Sequence, residues 1–355
     1  MIFKEKKNIV LKAQNETQKK IKIYENKKGK VKEKQNEDNP ILFTFGLNQD
    51  SKSPESIKEK DKKIELSSFY IKNLSEKALI QYGSSFIESY ILKENNNAII
   101  LPQNFMNNHK ISSYFRTKMV NWMLEVFYTL GSNEETFLAA VDTMDKFIFK
   151  YNKKVLKDEN IHLIGIVCIY IASKVYDLIP LQMDNIVHQI GHDKFSQKEI
   201  LIMERKIIKT LNFDVFALNS FDLIRFLIYD CYVNNKNVLK NLKAEKYLDM
   251  LTNCSIWVYK MCKHFNEYSS MNLLLLSYAC LLIGYDFMRD NCAEFIGEVH
   301  KFFKEWLNFL LNVIARKKKT RDRIEAIYKK IQKSYNDYKK SSFHNLILYH
   351  ELYFE

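Results

Sequence analysis

Apolar positions along the chain fall into two arrays of helical stripes, each centred on one stretch with almost no polar residue. The first is Leu163–Lys174, LIGIVCIYIASK, an uncharged run that ends at a lysine. It is too long for an ordinary buried strand and short of the roughly 18 apolar residues of a membrane span. The spacing predicts a helix enclosed on all sides, with Lys174 in its last turn. A cation there is favoured by the helix dipole, but beside so apolar a neighbour it needs a carboxylate or carbonyl partner. Lys174 is therefore either tied down inside the fold or presented at a surface to another molecule.

The flanking pattern supplies its neighbours. Phe115, Met119, Trp122 and Val126 lie at i, i+4, i+7 and i+11 on one helix stripe, which Gly131 ends. Ser132 with Glu135 has the capping-box spacing and opens a helix carrying Phe137, Val141, Met144 and Ile148. After the buried run, a helix over Met183–Ile190 stops at Gly191, and Ser196 with Glu199 opens another through Leu211. The pattern then recurs in Asn219–Tyr229, Lys246–Phe265, Ala293–Ile314, Lys319–Tyr335 and a second nearly charge-free run, Met271–Tyr285. The expected class is all-α: two consecutive five-helix bundles, each built around one central helix. Leu79, Tyr82, Phe86, Ile87 and Tyr90 predict a further N-terminal helix, whereas residues 1–66, rich in Lys, Glu, Asn and Gln, predict a disordered basic tail. The expected divisions are 1–66, 67–217, 218–335 and a C-terminal tail at 336–355.

Composition supports this reading. Of 355 residues 46% are hydrophobic, and eight Gly with four Pro are too few for all-β or Rossmann-type folds. The net charge of +13 invites a nucleic-acid reading, but residues 1–65 hold 17 Lys against 11 acidic residues and so carry much of it. Only seven Arg occur, none before Arg116, whereas base readout and phosphate forks favour Arg. Six cysteines without a CxxC argue against zinc spacings and disulfides and fit a reducing compartment. With no signal-peptide core or membrane span, the expectation is a soluble intracellular protein. His188 and His192 are four apart, but Gly191 between them suggests a helix-end loop rather than a metal pair. RKKKTRDR at 316–323 reads as a solvated helix start or a nuclear-localisation patch. No carboxylate pair, Cys/His constellation or phosphate loop stands at useful spacing, so neither catalysis, metal nor cofactor is expected.

At this level of detail the chain resembles the cyclins of the A/B mitotic group. Phe115-Arg-Thr-Lys-Met-Val-Asn-Trp122 is similar to the MRxxLVDW signature, with Met119 for Leu and Asn121 for Asp. Leu138–Phe147 resembles LAVNxIDRF, Ala172-Ser173-Lys174 ends the buried run as LLASK does, and Glu199–Glu204 with Leu211–Asp214 resembles ExLxMExxILxxLxFD. The resemblance implies a double cyclin fold and a non-catalytic subunit that binds and activates a cyclin-dependent serine/threonine kinase in cell-cycle control, in nucleus and cytoplasm. It assigns Lys174, Glu204 and the adjacent Val175 to the kinase contact, with Ile87, Tyr90, Ile208, Phe213 and Val215 as its apolar surround. Arg116 and Asp145 match an internal ion pair between the first two helices. A transcription-type cyclin, a cyclin-fold scaffold, or a DNA-binding relative of general transcription factors are the alternative implications.

The chain also departs from that pattern. Val175-Tyr176-Asp177 stands where the family has an aromatic followed by two acids. The positions of a substrate-docking patch are Phe115, Lys118, Met119, Trp122, Glu125, Ile161 and His162. Lys118 replaces an aliphatic residue there and would repel basic docking peptides. The tail has no arginine for an RxxL degradation signal, although Lys93-Glu94-Asn95 spells KEN and Ser53-Pro54 is a proline-directed phosphorylation pattern.

Overall fold

A computed structural model describes residues 101–102, 104–215 and 219–340. The N-terminal tail, the expected helix bearing Ile87 and Tyr90, and Lys93-Glu94-Asn95 lie outside the described residues.

The first bundle is made of α1 (Ser113–Leu130), α2 (Glu134–Lys150), α3 (Ile161–Tyr176), a π-wound turn at Asn185–Ile190, and α4 (Gln197–Thr210). The second contains α5 (Ser220–Asn241), α6 (Glu245–Lys263), α7 (Leu273–Asn291), α8 (Gly297–Ile314) and α9 (Lys318–Lys340). No strand occurs among the described residues; one isolated bridge joins Lys110 to Lys157.

Each bundle is organised by its charge-poor helix. α3 packs on α1, α2 and α4, and Ile164, Ile166, Val167, Cys168 and Ile169 are fully enclosed. α7 is surrounded by α5, α6 and α9 in the same way. Both central helices carry a glycine where a neighbouring helix approaches too closely for a Cβ. At Gly165 a Cβ would stand 2.0 Å from Met119 Cε, so the Met119 thioether fills that space. At Gly284 a Cβ would meet Ser255 Oγ at 2.5 Å and its backbone N at 2.9 Å.

Helix ends follow local chemistry where nothing overrides it. The Ser112 hydroxyl accepts the Phe115 N–H at 3.3 Å, and Gly131, at φ +66°, closes α1. Ser196 and Glu199 form the reciprocal capping box expected of them. Ser132 and Glu135 do not: α2 starts after Asn133, without a side-chain cap. Glu135 is instead drawn to Arg225 of α5 at 2.5 Å, while Glu134 takes Lys260 of α6 at 2.7 Å. A charge-assisted contact to the other bundle outcompetes a local cap. α5 continues well past Tyr229, kinked at Asn235, whose amide donates to the Cys231 carbonyl at 2.9 Å. α9 runs past Tyr335 to Lys340 because Tyr338 is buried edge-on against His264, ring centroids 5.2 Å apart.

The two bundles meet around Arg116, which is completely buried. Its Nε and Nη2 donate to the two Asp145 carboxylate oxygens at 2.8 and 2.6 Å, a bidentate fork between α1 and α2. Nη1 donates to the Lys263 carbonyl at 3.1 Å, and the Thr117 hydroxyl to that of His264 at 2.8 Å. These carbonyls belong to the buried C-terminal end of α6, where the last carbonyls lack intrahelical partners. Ser269 donates to Asp145 Oδ2 at 2.9 Å, and Lys263 pairs with Asp142. The ion pair expected between two helices thus also ties the second bundle to the first.

Two stability tests follow from this packing. Gly284→Ala should destabilise the protein by about 1–3 kcal/mol, since Ser255 backbone cannot retreat, whereas Gly165→Ala should cost much less because the end of Met119 can rotate away; thermal melts compare the two. Burial, with Arg116 adjacent, pushes the His264 imidazole down to about 4. Between that value and the ordinary one near 6.5, the unfolded chain binds more protons, so His264 contributes stability above about pH 6.5 that is lost on acidification. Burial raises the Asp222 carboxyl to about 6, which gives the opposite slope over the same range. Urea unfolding of wild type and His264→Phe should therefore show a stability difference that shifts against wild type, by up to about 3 kcal/mol, from pH 7 to pH 4. A pH-independent difference would contradict it.

Candidate functional site

Lys174 closes α3 with its side chain 37% exposed, and its ammonium pairs with Glu204 of α4, whose side chain is 13% exposed. The same Nζ lies 3.7 Å from the centre of the Tyr170 ring one turn earlier. The lysine is held by an internal carboxylate and still reaches the surface. Glu204 lies one turn before Ile208, so α4 presents an acid and a half-buried apolar side chain along one edge. Val175 and Val215 are also half-buried.

Phe213 follows in an unusual conformation. Asn212 and Phe213 have φ of +52° and +61°, and the Phe213 N–H donates to the Ile208 carbonyl at 3.0 Å as α4 terminates. A left-handed aromatic residue costs on the order of 1 kcal/mol, and here the ring gains little burial in return, being 73% exposed. Asp214, next in the chain, lies 3.8 Å from both Lys146 and Lys150 and anchors the turn.

Two exposed apolar residues absent from the sequence-derived set follow Lys174 closely in the chain. Leu178 and Ile179, directly after α3, are 94% and 80% exposed. Their loop is fixed from below: the Ser173 hydroxyl accepts the Leu181 N–H at 2.8 Å, and the Thr136 hydroxyl donates to Asp177 at 2.6 Å. An ordered loop displaying two adjacent aliphatic side chains is an unsatisfied apolar surface. The available signal was an aliphatic pair between the lysine motif and Pro180. Asp177, the one acid kept in that stretch, has its carboxylate engaged by Thr136.

The second expected cluster is only partly assembled. Phe115, 40% exposed, stands edge-on to Tyr114 with centroids 5.5 Å apart, and Lys118 is exposed beside it on α1. Trp122 is half-buried and meets the His162 ring at 5.2 Å; His162 in turn meets Phe195 at 5.6 Å. Met119 and Ile161 belong to the core instead, at 5% and 4% exposure. Met119 is withdrawn because Gly165 leaves room for its thioether beneath α3. The Glu125 carboxylate accepts the Asn121 amide at 3.0 Å, one turn away. Partial burial, then Lys194 and His192, lower the His162 imidazole.

The remaining sequence features have structural roles. His188 contacts Asp193 at 2.5 Å, and among the described residues no group of three metal-ligating side chains converges. All six cysteines are free thiols, five of them buried. Arg321 caps the end of α8 through the Ala315 carbonyl at 3.0 Å and Asn312 at 2.8 Å. No described helix is long and apolar enough to cross a membrane.

Residues 86–216 match the family described as cyclin, N-terminal domain. Among curated relatives, G2/mitotic-specific cyclin-B3 of Gallus gallus is 31% identical over 124 residues, covering 35% of this chain and 30% of that protein. G2/mitotic-specific cyclin-A of Patella vulgata is 33% identical over 105 residues, 30% of this chain and 24% of the relative. Cyclin-B1-2 of Arabidopsis thaliana is 25% identical over 228 residues, covering 63% and 48%. In each case the chain spans less than half the length of the curated relative it matches. A solved viral cyclin from herpesvirus saimiri aligns over 70% of this chain and 96% of its own, with 17% identity and a TM-score of 0.48.

Proposed function

We propose that this chain, whose residues 86–216 match the cyclin N-terminal domain, is an A/B-type cyclin that binds and activates a cyclin-dependent protein kinase in cell-cycle control, acting in nucleus and cytoplasm. The observation that carries this reading is the surface around Lys174. A charge held in place by Glu204 is followed in the chain by the exposed Leu178 and Ile179, and Phe213, just past the end of the helix that carries Glu204, is exposed as well. Apolar burial around such a centre supplies affinity, and a positioned charge supplies register. A kinase becomes active when one mobile helix is held in the position that completes its Lys–Glu pair. A rigid surface that fits only that position shifts the kinase toward activity by binding it selectively.

Lys174→Ala should weaken kinase binding at least tenfold, about 1.4 kcal/mol and so below the roughly 2–5 kcal/mol of a fully buried charge partner because Lys174 is partly exposed, with the melting temperature little changed. The check is co-purification from native extract, then titration of the recovered kinase with both forms and a histone kinase assay. Equal affinities would overturn the assignment of Lys174. Recovery of a kinase that stays inactive would instead favour a cyclin-fold scaffold.

Substrate docking is the second part of the proposal, centred on Phe115 and Trp122 with Lys118 between them. A cation at that position disfavours peptides of the Arg-x-Leu kind. Lys118→Ile should therefore tighten such a peptide roughly two- to fivefold, the scale of one exposed charge contact. Fluorescence anisotropy measures this, and absence of binding by both forms would remove the docking role.

A further inference from the structure

The end of α2 and the C-terminal half of α4 line an open cavity of about 450 Å³ that belongs to neither surface considered so far. Lys150, Lys153, Arg205, Lys206 and Lys209 line it, and no carboxylate does. Among the described residues only Lys150 of these five has a carboxylate within 4 Å, Asp214 at 3.8 Å. We propose that this cavity binds a phosphorylated segment of a partner protein, receiving its phosphate monoester among the five cationic side chains.

Charge balance leads to that ligand. Cations at helix C-termini are ordinarily explained by the dipole, and two helices end here. Each contributes about half a negative charge. With Asp214 included, the five cations still retain about three uncompensated positive charges, crowded around one concavity. A phosphate monoester carries roughly −1.5 to −2 at neutral pH and presents three acceptor oxygens, which suits the excess. The remaining lining is also suited to a peptide: the Thr210 hydroxyl and Asn152 amide can donate to it, and Ile202, 52% exposed, offers apolar contact beside the charges.

The aromatic lining disfavours nucleic acid. Single-stranded nucleic acid is held by bases stacked on exposed rings. The one ring here, Tyr151, is 6% exposed, packed on Phe147 at 5.1 Å with the Lys206 ammonium 5.8 Å from its centre. Four of the five cations are lysines, point charges that respond to charge density rather than to a planar fork. A phosphate embedded in an acidic sequence therefore fits better than an isolated carboxylate. Ile202, Arg205, Lys206 and Lys209 occupy α4, which also bears Glu204 and Ile208, so an occupied cavity would lie alongside the proposed kinase surface without sharing its side chains. The proposal does not depend on the kinase reading.

Fluorescence anisotropy with the full chain tests it. The probes are a labelled acidic peptide with two phosphoserines, the same peptide without phosphate, and a labelled single-stranded oligonucleotide; inorganic phosphate serves as competitor. The phosphopeptide should bind at least tenfold tighter than its unphosphorylated form. The Arg205→Glu/Lys209→Glu variant, whose side chains are exposed, should lose at least tenfold, as should Lys153→Glu/Lys206→Glu. Lys174→Ala should bind as wild type does, which separates this site from the kinase surface. Equal binding of the two peptides, tighter binding of the oligonucleotide, inorganic phosphate as effective as the phosphopeptide, or unchanged affinity in both charge-reversed variants with intact circular dichroism would each overturn it.

Discussion

A guanidinium removed entirely from water governs the arrangement of this molecule. An isolated buried charge is prohibitive, so Arg116 is tolerated only with its donors occupied. The Asp145 fork occupies two of them, and the carbonyl end of α6 takes another. The second requirement is met by a different bundle, so satisfying one side chain also fixes the docking of α6 against α1 and α2. The ion pairs Lys263–Asp142, Lys260–Glu134 and Arg225–Glu135 border the same seam. Losing Asp145 would leave an uncompensated charge at the junction of all these contacts.

That seam matters for the surface that faces outward. A partner that senses the position of one helix needs a platform that does not yield, and α3 is enclosed by three helices with its last turn at the surface. The Lys174–Glu204 pair spans α3 and α4, so any displacement of one against the other would break it. Phe213 shows the same economy in reverse: local backbone strain is maintained while its ring remains exposed. Strain persists only where the surrounding structure enforces it, and here Asp214 is secured by two lysines and the Phe213 N–H by Ile208. The cationic cavity lies on the flank of the same helix, so α4 separates two surfaces of opposite character, one apolar around an ion pair and one strongly basic.

Much of this was legible in the chain. Ten helical segments, the enclosure of α3 and α7, the Ser112 and Gly131 boundaries and the Ser196 box follow from periodicity and local hydrogen bonding, which need only neighbours a turn away. Arg116, Asp145, Lys174 and Glu204 could be nominated from motifs, and each pair does meet in space. Ser132 and Glu135 show the limit of such reasoning, because a cap that is locally adequate was forfeited to Arg225, 90 residues distant. Met119 shows another limit, since helical spacing assigns it to the face of Phe115 and Trp122 but not to a depth.

The sequence by itself determined the class of fold, the two central helices and the identity of the charged residues at their ends, because those depend on the order of polar and apolar residues along one helix. Only the tertiary structure decided which of them remain accessible. Gly165 draws Met119 inward, Ser173 and Thr136 hold the loop that displays Leu178 and Ile179, and the ends of α2 and α4 converge to gather five cations into one cavity. Exposure is a property of what packs on a residue, and that packing comes from distant parts of the chain.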